Sequence, residues 1–222
     1  RWLWWLALAG GISFMIAVVQ RLEGPPIWAW KTTGVAFLAL WAAGGGNRAL
    51  HFMDSINFEA MKKRPKIFIG FSDVTVLLNG ITVNTGIPTF HGPVFKNIPK
   101  YAELDHLLAL LGGEKSIYPL KGANVMHEGK AQGKLFGGNL SLFQYLPNTL
   151  PGKFWKNAIL FLEDCDEEYS RIDRMLLHLK RTGVLKEIKG LILGDFTNLK
   201  DSGRPYGFTL EDIRSEEHTS EL

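Results

Sequence analysis

The chain has 222 residues, enough for one large or two small domains, and its 46% hydrophobic and 21% charged fractions are those of an ordinary globular protein. A net charge of +3, with no run of Lys and Arg interleaved with aromatics, gives no basis for nucleic-acid binding. Cys165 is the only cysteine, which excludes a disulfide framework and a Cys-rich zinc site and fits a reducing compartment.

The first stretch differs from the rest. Residues 1–43 hold six of the seven tryptophans and only four charges, Arg1, Arg21, Glu23 and Lys31. Trp2 to Val19 is 18 residues without a charge, the lower limit for a membrane span. A membrane anchor or signal sequence is one reading. The other is a segment out of frame or foreign to the domain, and the abrupt change of composition at Gly44-Gly45-Gly46 favours it. The chain opens on Arg1 rather than Met, so a fragment is expected. Val35 to Ala43 reads as a buried strand leading into the glycines.

Gly44-Gly45-Gly46-Asn47-Arg48 lets the backbone approach a ligand closely, or is simply a turn. Asn57 is placed to cap a short helix, Phe58 to Lys63, stopped by Pro65. Ile67 to Ile69 is a short β-branched apolar run and reads as a buried strand. Val74, Leu77, Leu78 and Ile81 recur at helical spacing, and Gly86 ends that helix. Gly70-Phe71-Ser72-Asp73 is therefore a sharp strand-to-helix turn with a serine at its tip. Such a turn exposes the hydroxyl beside backbone N–H groups that can hold an oxyanion. The plainer reading is that Ser72 or Asp73 caps the helix, since Val74 stands where G-x-S-x-G has its last glycine.

His91, in Thr89-Phe90-His91-Gly92-Pro93, is a candidate base, although a histidine beside Gly-Pro is more often structural. Tyr101 to Leu111 is read as a helix with Leu104, Leu107, Leu108 and Leu111 on one face, stopped by Gly112-Gly113. Residues 96–130 otherwise read as an inter-domain connection. Beyond it, Asn139 is placed to cap a helix from Leu140 to Leu146, which Pro147 closes. Ala158 to Leu162 is a buried strand, and Glu163-Asp164 sits at its C-terminal end, where α/β folds place their ligands. Ser170 is placed to cap a helix with Ile172, Met175, Leu176 and Leu179 on one face. Gly190 to Gly194 is another buried strand. Strands alternate with helices on both sides of the connection, the pattern of an α/β class.

Glu163, Asp164, Asp166, Glu167 and Glu168 form a dense acidic cluster, by default a solvated loop; its spacing matches no calcium loop. Glu163 follows directly on an apolar strand, so it could orient a histidine base from a rigid element.

These pieces together resemble a family. Gly70-Phe71-Ser72-Asp73-Val74-Thr75, Thr89-Phe90-His91-Gly92-Pro93, Gly137-Gly138-Asn139-Leu140, Phe161-Leu162-Glu163-Asp164, Arg171-Ile172-Asp173-Arg174-Met175 and Gly194-Asp195-Phe196 look like the LD-carboxypeptidases, serine peptidases of the muramoyltetrapeptide carboxypeptidase group. The group also includes the microcin C immunity peptidases. The resemblance covers residues 44–213 and reverses the weighting on Ser72.

It implies an α/β fold with a Rossmann-like N-terminal domain carrying the serine and a smaller, truncated C-terminal α/β domain. By resemblance Ser72 is the nucleophile and Glu163 the triad carboxylate. The amide of Asp73 and one from the Gly45-Gly46 turn are the oxyanion donors. The implied reaction is hydrolysis before a terminal D-residue, such as D-alanine of murein tetrapeptide, during cytoplasmic peptidoglycan recycling. No metal or organic cofactor is implied. The partners implied are a murein-derived peptide and, in the complete protein, a second copy of the chain, with neither nucleic acid nor membrane.

The expected organisation is a foreign segment at 1–43, a nucleophile-bearing domain at 44–95, the connection at 96–130, a truncated second domain at 131–213, and a tail at 214–222 that looks like a translated adapter oligonucleotide. The family's histidine lies in a loop further along its C-terminal domain. His91, His106, His127 and His178 do not occupy that place, and no chemistry is assigned to His218, so the chain as given is expected to be inactive. Three readings compete with the leading one: an immunity-type peptidase for peptidyl or aminoacyl nucleotides, with Trp155 and Tyr169 available to clamp an adenine; an anion-binding module without catalysis; and a membrane-anchored protein.

Overall fold

The computed structural model describes residues 16–19, 39–100, 104–112, 124–201 and 203–216. The chain divides into two compact units, Arg1–Ala123 and Asn124–Leu222.

The first unit is built on a four-stranded sheet in the order β1 (Ile16–Val19), β2 (Ala39–Ala42), β3 (Ile67–Gly70), β4 (Thr89–His91). β1 runs antiparallel to β2, whereas β2, β3 and β4 are parallel. The helix α3 (Thr75–Thr85) makes the crossover that a parallel β3–β4 pair requires. It ends where Gly86 takes φ +76° and its amide bonds Thr82 O at 2.9 Å. Ahead of β3 lie α1 (Ala49–Phe52) and α2 (Phe58–Lys63). Asn57 caps α2 as its position predicts, accepting from the Ala60 amide at 2.9 Å.

Trp41, Ile69, Leu107 and Leu111 form the core on one side of this sheet, flanked by Ile67, Phe90, Ile98 and Leu104. The leucines come from α4 (Leu104–Gly112). Leu108, expected on the same face, is instead exposed, because it falls at the edge of the stripe that Leu104, Leu107 and Leu111 define. The Trp41 indole N–H donates to the Pro93 carbonyl and ties β2 to the segment after β4.

Of the uncharged stretch Trp2–Val19, the last four residues are β1; the rest lies outside the described residues. No helix among the described residues is long and apolar enough to cross a membrane.

The second unit carries a parallel three-stranded sheet, β5 (Leu135–Asn139), β6 (Ile159–Cys165) and β7 (Gly190–Thr197). The helix α6 (Tyr169–Arg181) crosses from β6 toward β7 and buries Ile172, Met175, Leu176 and Leu179, the stripe read from the sequence. A further short helix, α7 (Val184–Glu187), follows.

Several local expectations change. The helix α5 (Leu140–Phe143) is one turn rather than two, because Pro147 sits in a separate 3₁₀ turn, Leu146–Asn148. Glu168, not Ser170, stands at the N-cap of α6, and Ser170 is buried in its first turn. Residues 214–216 are the end of a helix, α8 (Leu210–Glu216), rather than an irregular tail. Arg214 lies 5.3 Å from the Phe196 ring centroid. His218 lies outside the described residues.

Candidate active site

The serine turn forms as the sequence predicts. β3 ends at Gly70, Phe71 is extended, and a 3₁₀ turn over Ser72–Val74 leads into α3. Ser72 has φ +62°. A left-handed conformation costs an L-residue roughly 1–2 kcal/mol, so the surroundings must hold it there. The strand end that leads into the turn is closely packed: an ideal Cβ on Gly70 would lie 2.9 Å from Val74 and 3.0 Å from the Ala42 methyl. The first bond of the turn is Val74 N–H to Phe71 O. The amides of Ser72 and Asp73 precede it, at the end of the helix where N–H groups lack intrahelical acceptors.

The glycine turn lies against this serine. An ideal Cβ on Gly45 would stand 3.4 Å from both Cβ and Oγ of Ser72. One on Gly46 would stand 2.9 Å from Asp73 Oδ2. The glycines at 45 and 46 therefore let backbone reach the two residues at the tip of the β3–α3 turn, where side chains would intrude.

Asp73 joins the two turns. Its side chain is buried, and Oδ2 accepts from the amides of Arg48 and Ala49, both at 3.0 Å. It thus caps α1 rather than α3, and neither it nor Ser72 makes a side-chain cap bond to the helix that follows them. The carboxylate faces the first amides of α1, where negative charge is favoured. His91 closes β4 and packs edge-on against Phe71, with 6.4 Å between ring centroids.

In the second unit Glu163 and Asp164 lie inside β6, not beyond its end and not in a solvated loop. Alternation along the strand puts Leu160, Leu162 and Asp164 on the buried side and Glu163 on the opposite face with Phe161. Between Leu162 and Asp164 the register with β7 shifts: Leu162 pairs with Leu193, and Asp164 with Phe196. Gly194 and Asp195 together face Glu163, a bulge of the kind that re-aims a side chain. The missing side chain at 194 matters, because a Cβ there would be 2.9 Å from the Phe161 ring and 3.3 Å from Glu163 Cβ. Burial, helped by the neighbouring Asp164 charge, pushes the Glu163 carboxyl up to about 7.

Asp164 is the anchor of this unit. Its carboxylate accepts from Asn139 Nδ2 at 2.9 Å, Ser141 N at 2.9 Å, Ser141 Oγ at 2.8 Å and the Cys165 amide at 2.9 Å. The expected Asn139 cap is therefore not made. Asn139 donates to Asp164, and Asp164 takes over the start of α5. Ser141 Oγ also lies 2.9 Å from Glu167 Oε1, so one hydroxyl hydrogen is shared between two acids. Glu167 is held in turn by Arg171 Nε at 3.1 Å.

Of the sequence-predicted site residues, Ser72, Asp73, Gly45 and Gly46 come together in the first unit, and Glu163 stands on the central strand of the second. Ser141 was missed as a site-shaping residue, and Asp164 and Gly194, though part of the motifs, were given no individual role. The period of two through Leu160, Leu162 and Asp164 was the available signal for Asp164. No group of three or more His, Cys, Asp or Glu among the described residues has metal-binding geometry.

An α/β fold with a serine at left-handed φ on a strand-to-helix turn defines a hydrolase-like architecture. Residues 28–92 match the model of the LD-carboxypeptidase N-terminal domain, and residues 132–221 that of the LD-carboxypeptidase C-terminal domain. The chain belongs to the LD-carboxypeptidase family. A probable murein peptide carboxypeptidase of Bacillus subtilis is 36% identical over 185 residues, 79% of this chain and 57% of that protein. The chain thus spans a little over half the length of that relative. The fold is also that of a muramoyltetrapeptide carboxypeptidase from Oxalobacter formigenes, with TM-score 0.67 and 26% identity over 83% of this chain and 65% of that one. The structure of MccF in complex with glutamyl sulfamoyl guanosine shares the fold at TM-score 0.64, with 23% identity over 81% of this chain and 64% of that chain.

Proposed function

We propose that this chain is part of a serine-type LD-carboxypeptidase that hydrolyses the bond before a terminal D-amino acid, such as D-alanine of murein tetrapeptide, in cytoplasmic peptidoglycan recycling. The observation that carries the reading is Ser72, held at φ +62° with the Gly45 backbone against its hydroxyl.

Ser72 Oγ attacks the carbonyl of the L-centre, the amine of the D-residue leaves, and water then releases the acyl group. The amide of Asp73 and one from the Gly45-Gly46 turn hold the tetrahedral oxyanion, each worth on the order of 3 kcal/mol. Glu163 orients and compensates the histidine that relays the serine proton to the leaving amine. His91, His106, His127 and His178 are not assigned that relay. Neither metal nor organic cofactor enters the mechanism, and the complete protein works as a homodimer.

The immunity-type alternative loses one of its two candidate clamps. Trp155 is buried, and its indole N–H donates to Glu187 at 3.0 Å, so its ring is occupied within the second unit.

The test is D-alanine release from murein tetrapeptide, with and without added imidazole as an external base. Release that rises with imidazole and disappears in Ser72→Ala supports the reading. Release that persists in Ser72→Ala refutes it.

A further inference from the structure

An exopeptidase must read the free carboxylate beside the bond it cuts, and the first unit holds a groove suited to that task. The groove is an open depression of about 450 Å³, lined among the described residues by the exposed Arg48, His51, Phe52 and Ser55. Those four residues offer a guanidinium, an imidazole, a hydroxyl and an aromatic ring, and among the described residues no acid lines it. Among the described residues no carboxylate pairs with the Arg48 guanidinium. The closest acid through the backbone, Asp73, is committed to the amides of Arg48 and Ala49.

The backbone of Arg48 is fixed with respect to the serine turn. Its amide lies 3.0 Å from Asp73 Oδ2, and Asp73 directly follows Ser72, whose Cα is about 3.8 Å away along the chain. Arg48 also closes the glycine turn that packs on Ser72. In a peptide cut at its last bond, the terminal carboxylate carbon lies three bonds from the reacting carbonyl carbon, within about 4 Å. The anion reader must then stand within one side-chain length of the nucleophile turn. Arginine suits it, because its planar fork meets a carboxylate with two parallel hydrogen bonds and stays charged at any working pH.

We propose that the Arg48–His51–Phe52–Ser55 groove is the subsite for the terminal α-carboxylate of the substrate, with Arg48 as its principal ligand. This rests on the carboxypeptidase reading above and adds which residue distinguishes a free C-terminus from an internal bond. The groove, not the oxyanion turn, would then make the enzyme an exopeptidase.

Binding tests it without turnover. Affinity is measured by calorimetry on the Ser72→Ala chain for a murein tetrapeptide ending in D-alanine and for the same peptide with a C-terminal carboxamide. The carboxamide is expected to bind about tenfold or more weakly, since a charge-assisted pair is lost. Arg48→Ala is expected to weaken the free acid by a similar factor, leave the carboxamide unchanged, and so erase the difference between them. Arg48→Lys, which keeps the charge without the fork, should recover part of it. Equal binding of acid and amide, or a preference for the acid that survives Arg48→Ala, overturns the subsite and leaves the carboxypeptidase reading standing. Binding of neither peptide overturns both. The Arg48 side chain is exposed, and a chain melting at the parental temperature shows that any loss belongs to the groove.

Discussion

Asp73 Oδ2 accepts the amide of Ala49 at 3.0 Å from 24 residues away, and this bond joins the serine turn to the glycine turn. The same oxygen holds Arg48, so one buried carboxylate serves two backbone donors. Removing it leaves the buried Ala49 amide and the part-buried Arg48 amide without their acceptor. Asp73→Ala should lower the stability of the chain by roughly 3 kcal/mol, as expected for bonds to a charged acceptor. Asp73→Asn, which keeps an acceptor oxygen, should lose clearly less. Urea unfolding of the three proteins measures the order.

The two glycines facing the turn should differ in their tolerance. A methyl at Gly45 would meet Ser72 at 3.4 Å, an ordinary contact, whereas one at Gly46 would meet Asp73 Oδ2 at 2.9 Å. Gly46→Ala should therefore cost roughly 1–3 kcal/mol, and Gly45→Ala less. Gly45→Val carries two γ-carbons beyond that contact, so it should lower the melting temperature more than Gly45→Ala and also block reagents from Ser72. Thermal melts and labelling rates separate the two effects.

Glu163 should make stability depend on pH in a definite direction. Its carboxyl is raised from 4.5 to about 7 by burial, so the folded chain holds a proton that the unfolded chain has released over that interval. The contribution is fully present below pH about 4.5 and is lost as pH rises through about 7. Glu163→Gln cannot ionise and should melt increasingly above the parent across that range, with a constant difference at higher pH. A difference independent of pH would contradict the burial of this carboxyl.

Gly194 sits where β7 bulges past Glu163. A methyl there would press on the Phe161 ring at 2.9 Å and on Glu163 Cβ at 3.3 Å. Gly194→Ala should cost roughly 1–3 kcal/mol. It should also displace Glu163, which a changed pH dependence of the melt would report.

The first unit was the more legible in the sequence. Asn57 at a cap, Gly86 after a helix and Ser72 between a strand and a helix are local signals, and the chain obeys each. Asp164 was not legible in the same way. Its burial depends on donors from Asn139 and Ser141, more than 20 residues upstream, which a local reading of the acidic run cannot supply. Ser170 looked like a cap from its residue type, yet it lies two residues beyond Glu168, which takes that place. The bulge opposite Glu163 arises from the pairing of two strands, so only the assembled sheet reveals it.

The most direct test of the account is to treat the chain with a fluorophosphonate in the presence of imidazole and map the adduct by peptide mass spectrometry. The account predicts a single adduct on the peptide that carries Ser72, absent from Ser72→Ala. An adduct on another serine, or labelling unchanged by that substitution, would contradict it.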